Sequence, residues 1–388
     1  MRKMPKLDFN RFNKWRKERN EERQEKREEK LYSASQSQLV WRKFKKHKLA
    51  LLGLSILVPF YLCALFAGFV APYGKLERFK KFNYAVPTRV YFFSEEHGLR
   101  RPFIYKIERE LDRKTFQYHY TVDKSREYTV RFFVKTQPFK LLFFIPCNTK
   151  LFGVEEVPIF LFGTDKLGRD LFSRIVFGGS ISLSIGFAGV ILGFVLGGLF
   201  GSISGYLGGV VDNVIQRMIE LLMSVPQIPL WIALSAAVPR DWDVIKTYFA
   251  ITLILALVGW TGLARVIRGK ILSLREEDFA LAAKVTGASN ARILLRHLLP
   301  GFTSYMVVHL TLAIPAMILG ETTLSFLGLG IQPPAVSWGT LLQEAQYLQV
   351  LADHPWILIP CIFVVITVLM FNFVGDGLRD AADPYSTK

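Results

Sequence analysis

Residues 49–71 form a run of 23 residues without a charged side chain. Wound as a helix at about 1.5 Å per residue, the run is about 35 Å long, enough to cross a hydrocarbon core of about 30 Å. It follows 48 residues holding 17 Lys/Arg against 7 Asp/Glu, with Arg42, Lys43, Lys45, Lys46 and Lys48 on its flank. So long a basic leader ahead of so long an apolar run reads as an uncleaved anchor, and the flanking cations put the N-terminus in the cytoplasm.

Further apolar runs lie at 181–203, 219–238, 247–267, 302–327 and 356–374. The expected fold is therefore an all-α integral membrane protein with six transmembrane helices. A cytoplasmic start predicts inner loops near 204–216 and 268–300, and outer loops near 72–180, 239–246 and 328–355. The charges agree: the second inner loop carries Arg268, Lys270, Arg275, Lys284, Arg292 and Arg296, and the last outer loop has no Lys or Arg.

Composition supports this class, with 51% hydrophobic and 21% charged residues in 388. The net charge of +17 divides into +10 over 1–48, +7 over 75–160 and zero over 161–388. Basic stretches flanking apolar runs fit membrane orientation better than nucleic-acid binding, which is set aside. Cys63, Cys147 and Cys361 are too scattered for a metal or disulfide framework.

The chain divides into a basic cytoplasmic arm (1–48), a first transmembrane helix (49–72), an extracytoplasmic insert (73–160) and a core of five transmembrane helices (161–388). In the insert, residues 115–122 and 128–134 alternate as strands around a polar turn at Asp123–Arg126, and 103–110 offers a third strand. A small β-rich domain is expected, either an ornament or a docking element. Residues 13–34, dense in Glu, Lys, Arg and Gln, read as a solvated helix or arm.

The inner loop at 276–300 is more than a connector. Phe279, Ala282, Ala283 and Thr286 share one helical face, Gly287 ends that helix, and a second short helix starts at Ser289. A pair of short helices with small residues fits a groove on a partner protein, or else lies on the membrane surface.

Here the sequence resembles a known family. Ala282-Ala283, Gly287 and, after nine intervening residues, His297-Leu-Leu-Pro300 are similar to the coupling motif of ABC-importer permease subunits of the peptide type, the oligopeptide/dipeptide permeases. Phe162-Gly-Thr-Asp-Lys-Leu-Gly-Arg-Asp-Leu-Phe-Ser-Arg174 resembles the family segment before the second span. Leu324-Ser-Phe-Leu-Gly-Leu-Gly-Ile-Gln-Pro-Pro334 with Ser337-Trp-Gly339 resembles the segment after the fifth, and Gly375-Asp-Gly-Leu-Arg-Asp380 with Asp383-Pro384 the C-terminal end. Leu281 stands where the coupling motif usually begins with Glu, and Ser180 where an Arg commonly opens the second span.

The resemblance implies the ABC importer permease fold in a prokaryotic cytoplasmic (inner) membrane, with both termini cytoplasmic. It implies a second homologous permease, two cytoplasmic ATPase subunits that carry ATP and Mg, and an extracytoplasmic substrate-binding protein. Contact with the ATPases falls to Phe279, Ala282, Ala283, Gly287, Arg292, Arg296, His297 and Pro300. This chain has no Gly-x4-Gly-Lys-Ser/Thr loop and is expected to hold no cofactor, no metal and no catalytic residue of its own. Peptides are the expected cargo, with oligosaccharides the alternative. A membrane enzyme lacks His-Glu-x-x-His and Gly-x-Ser-x-Gly, and a channel lacks a filter-like loop.

Other residues bear on packing and pathway. Gly189, Gly193, Gly197, Gly201 and Gly205 recur every four residues and offer a close-packing face, within this subunit or against the second permease. Pro226, Pro229 and Pro315 are expected to kink the third and fifth spans. Glu321, a carboxylate in a span, must face a cavity or a partner, as a structural hydrogen bond or a proton relay. Thr164 and Asp165 are expected to cap a short amphipathic helix, with Arg169, Asp170 and Arg174 completing an outer interfacial segment that anchors or gates.

Overall fold

The computed structural model describes residues 36–383, apart from 95–97, 112, 114–117, 142–144 and 240. Most of the N-terminal arm, the start of the first expected strand and Pro384 therefore lie outside the described residues.

Helix α1 (Gln36–Phe44) leads into α2 (Lys48–Leu65), which is capped by His47: its Nδ1 accepts from Ala50 N at 3.1 Å. After α3 (Ala67–Val70) and the strands come α4 (Leu171–Leu207), α5 (Gly209–Ser224), α6 (Gln227–Ala236), α7 (Val244–Leu274) and α8 (Asp278–Val285). Next, α9 (Asn290–Arg292) runs through a π-helical segment (Ile293–Leu298) and a 3-10 turn (Leu299–Phe302) into α10 (Thr303–Phe326). The chain closes with α11 (Trp338–Leu342), α12 (Leu348–Asp353) and α13 (Ile359–Ala382).

Among the described residues, five helical stretches are long and apolar enough to cross a membrane: Lys48–Leu65, Leu171–Leu207, Val244–Leu274, Asn290–Phe326 and Pro355–Ala382. The span expected over 219–238 is instead a bent pair, α5 and α6, meeting at 90°. Pro226 is the reason: it lacks the N–H that would continue the ladder of α5, and it becomes the N-cap of α6. Pro315 lies buried inside α10, which runs through it without a break in assignment.

The strands differ from the expected hairpin. β1 (Tyr91–Ser94), β2 (Gly98–Leu111) and β3 (Tyr118–Thr129) form an antiparallel sheet in that order, and β4 (Arg131–Leu141) pairs antiparallel with β5 (Ile145–Gly153). Asp123–Arg126 turns the chain only locally. Tyr105 faces Glu127 and Lys106 faces Asp123, so residues 124–126 bulge out of β3. Asp123 Oδ1 accepts from Ser125 N at 2.9 Å, an Asx turn inside a strand.

Helix α4 is the spine. A Cβ on Gly197, Gly201 or Gly205 would sit 2.9, 2.5 or 2.8 Å from the carbonyl oxygens of Trp260, Ala264 and Arg268, so the glycine face lies directly on the backbone of α7. Gly189 meets Met317 of α10. The stripe packs within this subunit. Leu183, Ile185, Leu255, Ile318 and Trp338 fill the core between α4, α7, α10 and α11.

Candidate functional site

At one end of the bundle, α7 stops at Arg275, whose Nη1 donates to Gly205 O (3.1 Å) and Tyr206 O (3.3 Å) at the C-terminus of α4. A cation there satisfies free carbonyls and the helix dipole together. Beside it Arg268 grips Asp212 of α5 with two bonds, Nε to Oδ1 and Nη2 to Oδ2, both at 2.5 Å. Ser204 donates to the same carboxylate, so the ends of α4, α5 and α7 are tied at one point.

Helix α8 lies against this end. Ala280 is its buried residue and packs with Ile267, Ile271, Ile293, Leu298 and Phe302. The face expected to be functional turns the other way: Phe279, Ala282 and Thr286 are exposed, and Ala283 is half-buried at the boundary. Phe279, Leu281 and Val285 are 46%, 43% and 88% exposed, an apolar surface left open among the described residues. Gly287 has φ +82 and open space around it, so what demands glycine there is the backbone conformation. Ser289 Oγ then accepts from Arg292 N at 3.4 Å.

The second short helix is not separate. From Asn290 it continues through the π-helical segment into α10, so the loop and the span are one lever. Tyr206 OH donates to Asn290 Oδ1 at 2.9 Å, which ties the lever's start to α4. Arg292, Arg296 and Pro300 are exposed and His297 is half-buried.

At the strand-bearing end, the segment before α4 forms no amphipathic helix and no interfacial anchor. Thr164, Asp165, Arg169, Asp170 and Arg174 are all buried. Asp165 is the hub: its Oδ2 accepts from Arg169 Nε at 2.6 Å and from Arg174 Nη1, and its Oδ1 from Leu167 N (2.8 Å) and Arg169 N (3.0 Å). Arg169 also reaches Glu344 at 3.8 Å. Burial, then the neighbouring Asp165 charge, push the Glu344 carboxyl up. Asp170 caps α4 by accepting from Ser173 N (2.8 Å) and Oγ (2.6 Å). Its burial outweighs those bonds and pushes its carboxyl up to about 7. Thr164 Oγ1 accepts from Ala85 N at 2.8 Å and donates to Phe82 O, so this segment also holds down the chain leading to the strands.

Glu321 is fully buried and makes a structural node. Its Oε2 accepts from Ser182 Oγ of α4 (2.8 Å) and its Oε1 from Ser325 Oγ (2.7 Å). Those hydroxyls in turn accept from Trp338 N (3.1 Å) and Ile331 N (3.0 Å). One carboxylate thus fastens α10 and the loop after it to α4. Sequence reading missed Ser182, Asp212 and Glu344 as partners, because each meets its target across a long stretch of chain; Ser325 carried a usable signal, four residues after Glu321 on one helix face.

Residues 197–387 match the family described as binding-protein-dependent transport system inner membrane component, and residues 35–87 match the N-terminal TM domain of oligopeptide transport permease C. Among curated relatives, the oligopeptide transport system permease protein OppC of Bacillus subtilis is 40% identical over 224 residues, 58% of this chain and 71% of that one. The OppC of Salmonella typhimurium is 46% identical over 225 residues, 58% of this chain and 72% of that one. A solved structure of the MetNI methionine ABC transporter, in an inward-facing conformation, aligns over 54% of this chain and 97% of that one at 20% identity and a TM-score of 0.41. On the strength of the curated relatives, this chain belongs to the family of binding-protein-dependent transport system inner-membrane permeases.

Proposed function

We propose that this chain is a permease subunit of an ATP-driven importer of peptides and forms half of its translocation pathway. The observation that carries the reading is the α8 lever, an exposed apolar helix resting through Ala280 on α7 and joined past Gly287 to the continuous Asn290–Phe326 helix. Both termini are cytoplasmic, α5 and α6 together make the sixth crossing, and the strands between the first and second crossings face outward. The peptide cargo is supported by the names of the relatives, which are oligopeptide permeases.

In this reading two ATPase subunits bind beneath Phe279, Leu281 and Val285, and hydrolyse ATP with Mg; this chain supplies no catalysis. A push on α8 passes through Ala280 to Ile267 and Ile271 of α7, and through Ile293 and Leu298 to α10. Because α4 lies on the α7 backbone, the helices swing as packed bodies and switch the path between openings. A second homologous permease completes that path, and a binding protein delivers cargo at the strand-bearing face.

The test is purification through a tag on this chain, with identification of what co-purifies and of its bound ligand. Two ATPases, a second permease and a peptide-loaded binding protein are expected. An oligosaccharide in the binding protein overturns the cargo, and a chain recovered alone overturns the subunit reading. Gly287→Val should leave the complex assembled while separating ATP hydrolysis from uptake; unchanged uptake refutes the lever.

A further inference from the structure

Between α2, α4 and the start of α7 runs an open groove of about 840 Å³, within the size range of small-molecule sites. Its walls are apolar and aromatic, including Tyr61, Phe177, Phe187 and Tyr248. The two serine hydroxyls along it are satisfied by the protein, Ser180 Oγ donating to Ala64 O at 2.5 Å and Ser184 Oγ to Ile181 O at 3.0 Å, while the buried Tyr61 hydroxyl has no hydrogen-bond partner among the described residues.

Two lysines, Lys75 and Lys140, also line it. Both are exposed, and neither has an ion-pair partner among the described residues. They come from segments outside the spans, the loop after α3 and strand β4, and both belong to the strand-bearing side. On α4 the lining runs from Phe177 to Ala188, about 16 Å along the axis and close to one leaflet's share of a 30 Å hydrocarbon core. Strand β4 is held against α3, just past the end of the first span: a Cβ on Gly68 would touch the Phe139 ring at 2.9 Å, and Lys150 Nζ of β5 donates to Gly68 O at 2.7 Å. Lys140 is therefore fixed close to the end of the span.

We propose that this groove is a binding site for an anionic phospholipid of the leaflet on the strand-bearing side, its acyl chains along α4 and its phosphate headgroup at Lys75 and Lys140. The charge is the argument for this occupant. A helix of a second protein would fill the apolar walls without needing two unpaired cations at the mouth, whereas a headgroup supplies the missing anion where the chains enter the hydrocarbon. The strands would then join the first span to the bilayer surface through one shared lipid.

The experiment uses the assembled transporter, with all its subunits, reconstituted in nanodiscs of mixed phosphatidylglycerol and phosphatidylethanolamine. After transfer to mild detergent, lipid retained by the complex is measured by native mass spectrometry. Wild type is expected to retain phosphatidylglycerol over phosphatidylethanolamine. In K75Q/K140Q that preference should fall by roughly twenty-five-fold, about five-fold for each lysine near a headgroup. Ser184→Trp, which fills the groove, should lose retained lipid of both kinds, and the paired lysine variant, altered only at exposed side chains, keeps the test readable if the tryptophan variant does not fold. Equal retention of the two lipids by wild type, or an unchanged preference in K75Q/K140Q, overturns the proposal. So does a cross-link from a cysteine at position 184 to a helix of the second permease, which would give the groove to protein.

Discussion

Replacing Glu321 with Ala tests the node that fastens α10 to α4. The carboxylate accepts from two hydroxyls, Ser182 at 2.8 Å and Ser325 at 2.7 Å, and is fully buried. A hydrogen bond to a charged group contributes about 1.5–3 kcal/mol and a neutral one about 1 kcal/mol, so the two bonds together are worth about 2–6 kcal/mol. Truncation also leaves both hydroxyl protons without an acceptor and opens a void the size of the lost side chain. At 2–4 °C for each kcal/mol in a domain of this order, the unfolding temperature of the reconstituted complex should fall by about 5 °C or more. Glu321→Gln keeps the volume and one carbonyl acceptor, so it should lose about 1 kcal/mol and retain peptide uptake. The assay is thermal unfolding in nanodiscs with uptake measured on the same preparations. Unfolding of E321A at the wild-type temperature refutes the node. Full stability of E321Q with uptake abolished would instead make Glu321 the proton relay.

Gly201→Leu would put a Cβ 2.5 Å from the Ala264 carbonyl oxygen; backbone cannot step aside, so a loss of about 1–3 kcal/mol is expected in thermal unfolding, against almost none for Gly198→Leu, whose Cβ meets open space. Gly287→Ala should cost only about 1 kcal/mol, because a residue at φ +82 pays for the left-handed conformation and meets no neighbour, and a melting curve distinguishes this from a steric site. Asp212→Asn removes the charge that Arg268 grips and leaves a partly buried guanidinium short of its anion; about 1–3 kcal/mol is the expected cost, and D212N/R268Q should recover part of it in a double-mutant cycle. Asp170 sits at about 7 against an ordinary carboxyl value of 3.8. The folded state therefore keeps a proton that the unfolded state has lost between those values, and its contribution to stability is greatest below about pH 4 and falls as pH rises to about 7. Asp170→Asn should flatten that slope in melting temperatures taken from pH 5 to 8.

The helices were legible because length and apolarity suffice to place a span: α4 and α7 cover their expected runs, and α10 and α13 match theirs to within three residues at each start. Where expectation failed, the cause was local chemistry that hydropathy ignores. The run at 219–238 is mostly apolar, yet Pro226 removes one backbone donor and the two halves meet at 90°. On α8 the face of Phe279, Ala282 and Thr286 is left exposed, because the residue that packs on Ile267 and Ile271 is Ala280, whose burial the sequence pattern alone did not single out. The glycine stripe left two packing partners open in the sequence; the carbonyls of α7 at 2.5–2.9 Å select the intramolecular one.

Charged residues beside a span invite an interfacial reading, because Arg side chains can extend from apolar surface to water. Arg169 and Arg174 do the opposite: they turn inward on Asp165, at 7% and 5% exposure. A single buried carboxylate holding two guanidiniums and two backbone N–H groups is strongly coupled to its surroundings, and removing it would leave the buried Arg174 without its ion-pair partner and Arg169 with only Glu344 at 3.8 Å. Glu344, reached from Arg169 across the fold, cannot be foreseen from spacing, since its partner lies far away along the chain. The bulge in β3 teaches the same lesson on a smaller scale. Asp123 and Ser125 do make the turn that their side chains favour, but a turn of that size bulges out of a strand as readily as it joins two. Which of the two occurs depends on β2, whose pairing resumes on both sides of the bulge, from Phe103 with Thr129 to Leu111 with Tyr118. Long-range pairing, invisible to local pattern, decided what the local signal meant.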